Sequence, residues 1–131
     1  MKEDLLEQAK RVLKNSYSPY SKFSVGAAIR TIDGQIYTGT NIENASYSLT
    51  ICAERVAVFK AVSNGHTSFT DLAIVSSSET PTFPCGACRQ VLAEFSPHIR
   101  IYLGDNKKEI FNLTDLLPHA FDSNQLDKKN G

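Results

Sequence analysis

Three cysteines and one glutamate carry the chemistry most visible in this chain: Cys52 with Glu54 two residues on, and Cys85 with Cys88 after Pro84. Each group lies at the start of a segment predicted to be helical. Free backbone N–H groups and the helix dipole favour negative charge there, and so thiolate over thiol. Two such helix starts brought together would offer three thiolates to one Zn²⁺ and leave its fourth tetrahedral position to water. Taken alone, Cys85-x-x-Cys88 is equally compatible with a redox dithiol or a structural zinc site. A closed structural site would need a fourth ligand. His66, His98 and His119 show no finger-like pairing with the cysteines. His66 and His98 fall beyond the far ends of the two helices, while the fold could still bring His119 close. Glu54, beside a metal-held water, is placed to take up and pass on a proton.

The surrounding pattern must place these groups. Leu5, Leu6, Ala9, Val12 and Leu13 recur at helical spacing and predict an N-terminal amphipathic helix. Phe23, Val25, Ala27 and Ile29 alternate with Ser24, Gly26, Ala28 and Arg30, as in a strand with one richer apolar face. Asp33-Gly34 turns the chain into a second arm at Ile36–Thr38. After a polar loop over 41–50, a helix runs from Cys52 to a stop at Asn64-Gly65. Leu72–Val75 predicts a central strand, Cys85–Phe95 a helix, and Ile99–Leu103 a strand. Asp105-Asn106 predicts a turn into a weaker strand near 109–111. Leu113, Leu116 and Leu117 mark a short helix stopped by Pro118. This order predicts an α/β fold: a mixed sheet layered with helices, whose β-α-β-α-β part implies right-handed crossovers between parallel strands. One domain spanning 1–131 is expected, with 122–131 a loose polar tail.

Bulk properties remove several function classes. The 131 residues include 14 basic and 14 acidic side chains, so nothing points to capture of a polynucleotide. No apolar run approaches the roughly 20 residues of a membrane span, and the first residues do not read as a signal peptide. A cytoplasmic protein without membrane attachment is expected. An odd cysteine count in such a chain argues against a disulfide framework.

The ligand-x-Glu segment followed by Pro-Cys-x-x-Cys is the zinc deaminase pattern. Together with Phe23–Ala28, Gly39–Tyr47, Cys52-Ala53-Glu54-Arg55, Pro84–Gln90 and Leu117–Phe121, it makes the chain resemble the small homotetrameric zinc-dependent cytidine deaminases, in the branch that holds zinc with three cysteines. The resemblance runs from about Tyr20 to Phe121. It implies a three-layer α-β-α cytidine deaminase-like fold with a five-stranded mixed sheet, its last strand antiparallel to its neighbour.

It further implies one Zn²⁺ per subunit on Cys52, Cys85 and Cys88, and hydrolysis of free cytidine or deoxycytidine to the uridine product and ammonia. Glu54 would carry the proton from zinc-held water to N3 and then to the leaving amino group. Asn41 and Glu43 would hold the ribose 3′-hydroxyl, Phe23 would line the pocket, and backbone near Ala53 would read the base edge. Phe121 of a neighbouring subunit would stack on the pyrimidine, and Tyr47 would stand at a subunit boundary. Three thiolates around Zn²⁺ leave one excess negative charge, which the guanidinium of Arg55 would offset at the ligand sulfurs. Arg89 and Gln90, directly after Cys88, are further candidates to support the ligands. His119 stands where the family commonly has Gly, which would burden a left-handed backbone there.

Three rival readings are weaker. Another small-molecule deaminase of this fold conflicts with Asn41-x-Glu43-Asn44-Ala45, the ribose-reading version of the segment. A polynucleotide-editing deaminase would need a channel for flanking phosphates, which balanced charge does not supply. A zinc-stapled binding module would leave its metal one protein ligand short.

Overall fold

A computed structural model describes residues 2–104 and 109–126 of the chain. The N-terminal apolar stripe forms α1 (Lys2–Arg11), continued by a 3-10 turn over Val12–Asn15. The hairpin is β1 (Val25–Thr31) and β2 (Ile36–Thr40). Then follow α2 (Ala53–Ser63), β3 (Phe69–Ser76), α3 (Gly86–Phe95), β4 (Arg100–Leu103), β5 (Ile110–Asn112) and the short α4 (Leu113–Leu116). The expected turn at Asp105-Asn106 lies outside the described residues, as does the end of the expected tail. Ser123–Leu126 form a 3-10 turn.

One five-stranded sheet has the order β2-β1-β3-β4-β5. β1 is antiparallel to both β2 and β3, β3 is parallel to β4, and β5 is antiparallel to β4. β2, β3 and β4 therefore share a direction, and α2 and α3 are crossovers between strands of that set. Both helices consequently start at the same edge of the sheet, beyond the carboxyl ends of β2 and β3. This topology alone brings the two cysteine segments together.

β1 has the richer apolar face expected of it, and its other face is buried as well. Ala27 and Ile29 pack with Ala53, Ala57, Val58 and Leu92 of α2 and α3, whereas Ala28 packs on the opposite face with Leu5 and Ala9 of α1. Helices cover both faces, so both sets of alternating side chains are buried, and small alanines fit where helices approach closely. Leu72, Ile74, Ile101 and Leu103 complete the larger core, and Ala73, Val75 and Tyr102 the smaller. This is a three-layer α-β-α arrangement.

Two glycines set the placement of α2. Gly65, at φ +91°, adopts the left-handed turn that ends the helix near Asn64. Gly39 on β2 faces the first turns of α2 so closely that a Cβ would lie 2.6 Å from Ala53 O and Ala57 N. Only a residue without a side chain lets the start of α2 sit this near the sheet. Among the described residues, no helix is long and apolar enough to cross a membrane.

Candidate active site

Cys52 caps the start of α2 and Cys85 the start of α3, both in extended backbone conformation, and Cys88 lies buried in the first turn of α3. Cys52 Sγ is 3.7 Å from Cys85 Sγ, and Cys85 Sγ is 3.5 Å from Cys88 Sγ. All three sulfurs lie within 4.8 Å of one another, and among the described residues no histidine joins the cluster. Zn–S bonds of about 2.3 Å in a tetrahedron set sulfurs about 3.8 Å apart, so this donor set fits zinc. His66 instead stands 3.7 Å from Asp33 and beside the Tyr37 ring.

The thiols differ in their hold on protons. Cys52 is held down to about 5 by the neighbouring Cys88 thiol and by Arg55, against the opposing effect of burial. Cys88 is pushed up by its contact with the Cys52 thiolate and by burial. Arg55 places Nη2 at 3.5 Å from Cys52 Sγ, while its buried Nε has no hydrogen-bond partner. A fixed positive charge thus adjoins the sulfurs. Glu54, 4% exposed, follows in the first turn of α2. Burial pushes its carboxyl up to about 7, its own backbone N–H opposes this, and the Cys52 thiolate adds to the rise. A carboxyl near neutrality is suited to both receiving and giving a proton.

The loop residues Asn41 and Glu43 are held by hydrogen bonds to the segment that leads into β1. Asn41 is buried, accepts from Val25 N (2.9 Å) and Ser16 Oγ (2.5 Å), and donates to Phe23 O (2.8 Å). Its amide therefore fixes the approach to β1 and the backbone that bears Phe23. Glu43 accepts from Tyr20 N at 2.9 Å, Ser21 N at 3.1 Å and Ser21 Oγ, bonds led by the Ser21 hydroxyl that hold its carboxyl below its ordinary range. Beside it, Lys22 takes a left-handed φ of 61°, with its N–H donating to Ser18 O. Tyr20, Ser21, Glu43, Asn44, Tyr47 and Thr50 line an open pocket of about 300 Å³. Tyr47 is 78% exposed and meets only the edge of Tyr20 among the described ring contacts.

Ser16 and Ser21 were not among the sequence candidates. Serines in a serine-rich loop carry no periodic or motif signal, and only the fold shows which side chains they hold. The side-chain hydrogen bonds described for Arg89 and Gln90 go to main chain. Arg89 donates Nε to Pro84 O (2.7 Å) and Nη1 to Leu116 O (2.9 Å). Gln90 bonds the backbone of Phe121, whose ring is 58% exposed. His119 avoids the left-handed region, because Lys22 is the non-glycine residue with positive φ among those described. Its replacement of Gly therefore carries no backbone cost here.

The family model described as the cytidine and deoxycytidylate deaminase zinc-binding region matches residues 1–104. The cytidine deaminase of Sporosarcina psychrophila is 51% identical over 127 residues, covering 95% of this chain and 93% of that protein. The cytidine deaminase of Halalkalibacterium halodurans is 46% identical over 125 residues, covering 93% and 95%. The crystal structure of cytidine deaminase from Burkholderia pseudomallei superposes with a TM-score of 0.87 at 42% identity, covering 92% of this chain and 99% of that one.

Proposed function

Since the chain belongs to the cytidine and deoxycytidylate deaminase zinc-binding family, we propose that it hydrolyses free cytidine and deoxycytidine to uridine and deoxyuridine with release of ammonia, a step of pyrimidine salvage. The observation that carries this reading is the meeting of three sulfurs with a buried carboxyl at two helix starts. Cys52, Cys85 and Cys88 would hold one Zn²⁺ per subunit. Bound there, zinc would lower the pKa of a water toward neutrality.

Glu54 accepts the proton of the attacking water and delivers it to N3 of the cytosine ring. Glu54 then takes the remaining proton from the hydroxyl added at C4 and gives it to the departing amino group, so water and cytidine become uridine and ammonia. Arg55 offsets the negative charge of the sulfurs. Asn41 and Glu43 hold the ribose 3′-hydroxyl, with backbone near Ala53 facing the base. In support, Asn41 and Glu43 are already fixed by their own hydrogen bonds and need little ordering on binding. Phe23 would line the nucleoside pocket.

The assembly we propose is a homotetramer of single-domain chains in the cytoplasm, each active site completed by Phe121 and bordered by Tyr47 of neighbouring subunits. Exposure of both rings supports this, because large aromatic side chains left in water gain from being covered. Reduced thiols gathered as a metal site agree with a cytoplasmic setting.

Ammonia release from cytidine and from free cytosine, measured side by side on zinc-loaded protein, tests the substrate class. The proposal predicts turnover of the nucleoside and little of the base. Equal or faster turnover of cytosine would remove the sugar contacts and contradict it.

A further inference from the structure

The stretch from Leu117 to Phe121 follows α4 without joining the sheet, yet the chain is tied to α3 just before it, at Leu116, and at its end, at Phe121. At the near end, Arg89 Nη1 donates to Leu116 O at 2.9 Å. At the far end, Gln90 Nε2 donates to Phe121 O at 2.7 Å while Phe121 N donates to Gln90 Oε1 at 3.3 Å. The second tie has a single polarity: turning the amide over would set donor against donor and acceptor against acceptor. Both tying residues sit on α3 immediately after Cys88, so the helix that bears two of the three sulfurs also fixes the Phe121 backbone.

The ring itself is left 58% exposed. Two directional bonds hold the main chain that bears an exposed aromatic ring, and so limit where on the subunit surface that ring can meet a neighbouring subunit's site. We propose that Gln90 is a positioning residue: it acts on substrate binding through Phe121 rather than through the metal ligands. The inference rests on the reading that Phe121 stacks on the pyrimidine. An aromatic ring whose backbone is pinned loses less freedom on stacking, so the tie strengthens binding of the base without taking part in proton transfer.

The test is a double-mutant cycle on the zinc-loaded enzyme, with kcat, KM for cytidine and zinc content measured for Gln90→Met, Phe121→Ala and the pair. Gln90→Met keeps length and removes both hydrogen bonds. The expected result is a rise in KM of about tenfold, with kcat changed less than about twofold and zinc content unchanged. Phe121→Ala should raise KM at least as much, and the double variant should be no worse than Phe121→Ala alone. Should Gln90→Met fail to fold, Gln90→Glu serves in the same cycle, because it keeps the acceptor for Phe121 N–H and sets a carboxylate against Phe121 O. Multiplying effects in the double variant, loss of zinc on changing Gln90, or a normal KM for the Gln90 variants beside a raised one for Phe121→Ala would overturn the inference. A normal KM for Phe121→Ala would overturn the stacking reading itself, and this inference with it.

Discussion

Arg55 directs its guanidinium to the sulfur of Cys52, 3.5 Å away and three residues earlier at the same helix start. The pairing joins a charge that cannot be titrated away to the Cys52 thiolate in a half-buried site, one of the sulfurs proposed to hold zinc. Removing that charge would leave the excess negative charge of three thiolates unbalanced.

Arg55→Gln is therefore expected to weaken zinc retention or turnover by about 10–100-fold, the usual scale for a group that supports metal ligands. Zinc remaining after dialysis against a chelator, together with kcat, checks this. Unchanged values for both would show that the contact has no electrostatic role.

Gly39→Ala should disturb the site from beneath. Its new Cβ would press on the backbone of Ala53 and Ala57, and the start of α2 with Cys52 and Glu54 must move outward. Overpacking of this kind costs about 1–3 kcal/mol. Thermal unfolding should fall by several degrees and zinc affinity with it. A variant that lost stability but bound zinc as before would separate the glycine from the site.

Asn41→Ala removes the acceptor of Val25 N and the donor to Phe23 O. Leaving those backbone groups without their partner should cost about 2 kcal/mol, within the range for unsatisfied buried polar groups. Denaturant unfolding gives the measurement. A cost near zero would mean that the loop before β1 is held by other contacts.

A pH effect on stability should arise at the opposite end of the sheet. Asp71 is buried, and burial pushes its carboxyl up. Thr70, Arg100, Tyr102 and Arg30 together outweigh that and hold it below the ordinary value. A carboxyl depressed in the folded state contributes stability that is fully present above its unfolded pKa of about 4 and is lost as pH falls through the folded value. The wild-type unfolding free energy should decline below about pH 4 more steeply than that of Asp71→Asn, which should be less stable at neutral pH. Parallel acid limbs for the two proteins would exclude Asp71 as a source.

Much of this was readable before any coordinates. Cys52, Glu54, Cys85 and Cys88 announce themselves because their chemistry depends on residue type and short spacing, and the helix starts beneath them follow from the apolar period. Other features depend on contacts distant in sequence. Ala27 and Ala28 read as ordinary alternation, and only the packing of α2 and α3 on one face and α1 on the other shows why both are buried. Arg89 and Gln90 read only as neighbours of Cys88, and the main-chain groups they bond across the fold are not visible in that adjacency. Their partners, Leu116 and Phe121, lie 27 and 31 residues further on. No local pattern encodes that reach.

The most direct measurement is zinc content and ammonia release from cytidine, made in parallel on the native chain and on Glu54→Gln. The account predicts equal zinc in both, with turnover in the variant lower by about 10²–10⁴-fold, the scale of a lost proton carrier. A Glu54→Gln protein that held zinc and released ammonia at the native rate would contradict it.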